Sequence, residues 1–110
     1  MRVFRPRNFD QRAKRAGLDE NDLADLIKAL VEHPSQGAVI PGTGGARKVR
    51  VKLPGRGKRG GARVIYALIL RATVLALLDV YAKNEQENLT SAERKIMAGL
   101  IREIEAEFER

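Results

Sequence analysis

The sequence has no cysteine, no tryptophan and a single histidine, His33. Without thiols there is no disulfide and no thiolate metal site, and one imidazole does not make a histidine-rich centre, so neither a metal nor a cofactor is expected. The composition also fits a reducing cytoplasm. Aromatic residues are only 5% of the 110 residues, which leaves few rings for stacking on nucleobases and gives core burial to Leu, Ile, Val and Ala. A membrane span is not expected. The longest mostly apolar stretch, Ala62 to Val80, is broken by Arg63, Arg71 and Asp79 and rich in β-branched residues, so it reads as two strands. The opening MRVFRPRNFD puts charge and proline where a secretion signal needs an apolar run. A single domain over residues 1–110 is expected at this length.

Carboxylates are missing from the middle of the chain. Between Glu32 and Asp79 there are nine Lys/Arg and no Asp or Glu, whereas the flanking segments alternate both signs as solvated helices do. The net charge of +7 is therefore concentrated in one region. Solubility alone does not require such segregation, and the pattern points to a polyanion, most simply an RNA backbone.

Hydrophobic spacing predicts the order β-α-α-β-β-β-α. Val3 and Phe4 form a short edge strand before Pro6, and Asn8 to Ala16 a short helix ended by Gly17. A second helix is capped by Asp19, with Leu18 and Leu23 as hydrophobic staple, and runs through Leu26, Ile27, Leu30 and Val31 to His33-Pro34. Residues 34–45 form a Pro/Gly-rich loop. Strands follow over Ala46 to Leu53, Ala62 to Leu70 and Thr73 to Ala82, the last two apolar enough to be covered on both faces. Thr90-Ser91-Ala92-Glu93 is a capping box opening a final helix with Ile96, Met97, Leu100, Ile101, Ile104 and Phe108 on one side. The expected fold is α+β: a small, mainly antiparallel sheet of three to four strands, with two N-terminal helices on one face and the C-terminal helix over part of the other.

Period two sorts the cations. Lys48, Arg50 and Lys52 fall on one face within about 7 Å of one another, opposite Val49, Val51 and Leu53. Arg63 is expected near the same end of the sheet, and Tyr81 and Lys83 share a face that extends the patch. Gly55 to Gly60 (GRGKRG) matches GxGxxG by letter but joins two strands and opens no helix, so it is no dinucleotide site, and Gly57-Lys58 lacks the Ser or Thr of a P-loop. It remains a cationic hairpin loop suited to phosphate contacts. His33, beside Pro34 at a helix end, suits a capping role. No Ser/His/Asp arrangement appears.

The runs PGTGGARKVRV, GRGKRGGARVIY and DVYAKNEQENLT, in this order and spacing before a C-terminal helix, resemble RelE/HigB-type toxins of bacterial toxin-antitoxin pairs, in particular a HigB-like branch, over about residues 2 to 108. The resemblance implies a microbial ribonuclease-like α+β fold and ribosome-dependent, metal-independent mRNA cleavage in the cytoplasm. Ribose 2′-OH attack would leave a 2′,3′-cyclic phosphate. It implies that Arg63 holds the scissile phosphate and that Lys83 lies near the general acid. One of Lys48, Arg50 or Lys52 would stabilise the transition state, a lysine among them acting as base if its neighbours depress its pKa. Glu85 to Arg110 lacks the tyrosine that some members carry there, so Tyr66 or Tyr81 would stand in; Tyr66 alternates onto the face opposite Arg63 and is expected in the core, which leaves Tyr81 as the further catalytic candidate. Arg47, Arg56, Lys58 and Arg59 are the expected RNA-docking set. Implied partners are the ribosome, mRNA and a cognate antitoxin, usually with a helix-turn-helix domain, through which alone operator DNA would be reached. The alternative is a toxin that does not cut, including a ParE-like one, and inhibits gyrase or the ribosome by binding.

Overall fold

The computed structural model describes residues 1–53, 61–69, 73–86 and 88–108. Its elements are β1 (Arg2–Phe4), α1 (Phe9–Arg15), α2 (Glu20–Glu32), β2 (Ala38–Val39), β3 (Arg47–Val51), β4 (Ala62–Ile69), β5 (Val74–Ala82) and α3 (Ser91–Phe108). They form one sheet in the order β1-β5-β4-β3-β2, antiparallel except where β1 runs parallel to β5. The α+β expectation holds, with five strands in place of three to four. The added strand is β2, two residues inside the Pro/Gly-rich loop, too short to produce an alternating pattern.

Both faces of the sheet are covered. Val64, Tyr66, Leu75, Leu77 and Val80 pack with Phe9, Ala13, Leu23, Leu26 and Leu30 of α1 and α2. Ile65, Ala67, Ile69, Val74 and Ala76 pack with Met97, Ile101 and Ile104 of α3. The α3 stripe is narrower than the sequence suggests, because Ile96 is 58% exposed. Its far end is tied to β1 by an edge-on contact of Phe108 with Phe4, ring centroids 5.8 Å apart, and by the Arg2 guanidinium over the Phe108 ring.

Local chemistry starts and stops the helices as expected. Asp19 accepts from the Asp22 N–H and Asp22 accepts from the Asp19 N–H, a reciprocal capping box. Thr90 and Glu93 do the same for α3. Gly17, with φ of 102°, leaves α1 through the left-handed region that glycine tolerates. His33 is the C-cap of α2, its N–H donating to the Ala29 carbonyl.

Candidate functional site

Strand register builds the site. Arg50 of β3 lies opposite Arg63 of β4, and Arg63 lies opposite Tyr81 of β5, so the three form a row across the sheet. Tyr81 belongs to the α3 side of the sheet and fixes the face of the row. Lys48, two residues before Arg50 and opposite Ile65, shares that face. The Cβ atoms of directly opposed neighbours sit about 5 Å apart, so Arg50 and Arg63 bring two positive charges to one patch of the sheet, a setting that favours an anion.

Arg63 is half-buried, and its Nε is buried with no hydrogen-bond partner. Leaving a buried donor unmade costs about 1–3 kcal/mol, a cost that an acceptor arriving from outside would remove. The Tyr81 hydroxyl has a raised pKa, chiefly because burial disfavours the phenolate; Arg63 works against the shift and Asp79 and Glu93 add to it. Tyr81 therefore stays protonated at neutral pH and can donate a proton or hydrogen bond.

Beside the row, a cleft of about 240 Å³ is lined by Val39, Ile40, Pro41, Lys48, Tyr81, Asn88, Leu89 and Arg94. Among the described residues its lining has two cations and no carboxylate. Lys48 Nζ donates to Asn88 Oδ1 at 2.9 Å, bridging β3 to the segment before α3. A larger hollow between α1 and α2, of about 610 Å³, is lined by Asp10, Asp19 and Glu20 as well as Arg5 and Lys14, so its charge does not favour a polyanion. Among the described residues no group of three or more His, Cys, Asp or Glu is placed to hold a metal ion.

Lys48, Arg50, Arg63 and Tyr81 are thus brought together. Lys52 follows β3 in the same alternation and is exposed. Lys83 follows β5, half-buried, its N–H donating to the Gly61 carbonyl at 3.0 Å. Arg47 does not join them. It pairs with Tyr66 on the opposite face, where its Nη1 donates to the Ser35 and Gly37 carbonyls at 3.1 and 2.7 Å. The anticipated loop cations Arg56, Lys58 and Arg59 lie outside the described residues. Tyr66 is fully buried in the α1/α2 core, its hydroxyl donating to the Pro34 carbonyl and accepting from the Gly37 N–H.

Arg94, Asn88 and the Arg12–Asp79 ion pair were not apparent from sequence. A cation in the first turn of α3 opposes the helix dipole, which was the one available sign that Arg94 has other work. Asp79 is buried, with its pKa raised mainly by desolvation against the opposing effects of the Val80 N–H and Arg12.

The fold and this cleft together define a small α+β protein with cations and a protonated phenol gathered on part of one sheet face, a surface suited to polyanions. The chain belongs to the RelE toxin family: the family model described as the RelE toxin of the RelE/RelB toxin-antitoxin system matches residues 1–108. Among solved structures, a double arginine-to-alanine mutant of the Escherichia coli toxin RelE in the free state is similar, with a TM-score of 0.54 and 17% identity. The match covers 91% of this chain and 95% of that one, and at this identity it speaks for the fold. Membership makes the protein the toxin of a toxin-antitoxin pair, with a cognate antitoxin as partner. No helix among the described residues is long and apolar enough to cross a membrane.

Proposed function

We propose that the protein, acting as one domain in the cytoplasm, inhibits translation by cutting mRNA on the ribosome with its own side chains and no metal. The observation that carries this reading is the buried, unpartnered Nε of Arg63, set in a row between Arg50 and Tyr81. A phosphodiester oxygen supplies the missing acceptor, and Arg50 and Lys48 flank the same phosphate. The ribose 2′-OH gives its proton to the lone pair of a neutral lysine amine, Lys48 or Lys52, and its oxygen attacks the adjacent phosphorus. The new P–O2′ bond forms as the P–O5′ bond breaks, and the leaving 5′ oxygen takes a proton from Lys83 or Tyr81. The products are a 2′,3′-cyclic phosphate and a 5′-OH.

Arg56, Lys58 and Arg59 are assigned to docking on ribosomal RNA. Arg47 is left out of that set because its guanidinium already serves two carbonyls. The antitoxin is taken to carry a helix-turn-helix domain and to provide the only link to operator DNA.

Wild type and Arg63→Ala expressed in cells without the antitoxin test the reading when mRNA 5′ ends are mapped. New ends within codons are expected for wild type only. Growth arrest without new ends in wild type means a toxin that acts by binding, and equal cutting by both proteins removes Arg63 from the reaction.

A further inference from the structure

β5 changes face partway along its length. Leu75 and Leu77 side with α1 and α2 while Val74, Ala76 and Leu78 side with α3, as period two requires. Continued, that parity sends Val80 towards α3 and Tyr81 towards α1 and α2. The opposite is found: Val80 and Ala82 pack in the α1/α2 core and Tyr81 lies on the α3 side. The pairing gives the reason. Tyr66 faces Leu77 and Ile65 faces Asp79, so Leu78 is an extra residue and the strand is bulged there. A regular ladder continued from Leu77 would set Val80 opposite Arg63; the bulge sets Tyr81 there instead.

Bulges leave ladder groups unmade, and here a carboxylate takes one of them up. The Val80 N–H donates to Asp79 Oδ1 at 2.8 Å, and the same oxygen receives Arg12 Nη2 of α1 at 2.8 Å. Asp79 is 3% exposed, and the reaction proposed above uses neither residue. A buried carboxylate in the middle of an otherwise apolar strand is costly, which argues that it is kept for what it holds.

We propose that Asp79, itself held by Arg12, is a positioning residue that pins the bulge and so keeps Tyr81 beside Arg63. Only the consequence for RNA cleavage rests on the proposed function; the pin itself does not. The pin is therefore read without activity, by nuclear magnetic resonance on the purified chain. Asp79→Leu fills a similar volume but accepts nothing. Its Val80 amide is expected to exchange at least about tenfold faster relative to Val64, with loss of the cross-strand contacts that place Arg63 opposite Tyr81. Asp79→Asn keeps an acceptor and retains the register. Arg12→Ala, altering a half-exposed side chain, folds and gives an intermediate loss of Val80 protection. Unchanged protection and register in Arg12→Ala and Asp79→Leu overturn the proposal, and if Asp79→Leu does not fold, Arg12→Ala decides alone. A lost register with undiminished growth arrest supports the pin and excludes Tyr81 from the reaction.

Discussion

Arg63 and Tyr66 occupy the same strand, yet their polar atoms are treated in opposite ways. Arg63 Nε is buried without a partner, whereas the Tyr66 hydroxyl is satisfied on both sides by Pro34 and Gly37. Removing an unmet donor relieves strain on the fold, so Arg63→Met is expected to match or exceed wild type by up to about 1 kcal/mol in denaturant unfolding while cleavage is lost. Tyr66→Phe leaves a buried Gly37 N–H unpaired and is expected to cost about 1–3 kcal/mol, with RNA binding unchanged per folded molecule. Asp79 gives a pH signature. Its folded pKa is raised above the ordinary 3.8, so its contribution to stability is full below that value and is lost as pH rises through the folded pKa. The stability of Asp79→Asn relative to wild type should therefore improve as pH rises from 3.8, which urea unfolding at a series of pH values measures.

The helices rest on short-range chemistry and the strands on long-range pairing. Thr90→Ala removes the acceptor for the Glu93 N–H and is expected to cost about 1 kcal/mol through fraying of the α3 first turn. Glu93 has a pKa held below its ordinary 4.5, first by the Thr90 N–H it accepts, so its part of the cap is present above 4.5 and disappears as pH falls through the folded value. Caps at Asp19 and Thr90 were legible because all their partners lie within three residues. Alternation through Lys48, Arg50 and Lys52 likewise gave the cationic face, but the same parity was not applied to Arg47, which was expected at the RNA and instead pairs with Tyr66 on the other face. The bulge was not legible. Val74 to Ala82 is buried along its whole length, and a strand covered on both faces has no polar alternation to reveal where its parity slips. Asp79 was the only mark on it. Arg94 was missed because it reaches the cleft from α3, an element whose side chains otherwise read as core or solvent.

Across the molecule, a net charge of +7 matters less than its concentration in the carboxylate-free middle of the chain, from which Lys48, Arg50 and Arg63 reach one sheet face. If Lys48, Arg50, Lys52, Arg63, Lys83 and Arg94 each neutralise one phosphate, single-stranded RNA should bind with a log-affinity against log-salt slope of about −4. A Lys48→Gln variant should flatten that slope by about 0.7, since one fewer counterion is released. The family fixes the protein as a toxin with an antitoxin partner; the RNA-cutting reaction is the proposal that the cationic row supports. The most direct measurement is end-group analysis of labelled mRNA incubated with ribosomes and either purified wild type or Arg63→Ala. Ribosome-dependent fragments with 2′,3′-cyclic phosphate and 5′-OH ends, formed at least about a hundredfold more slowly by Arg63→Ala, are the predicted result. Intact mRNA on arrested ribosomes, or equal cleavage by the two proteins, would contradict it.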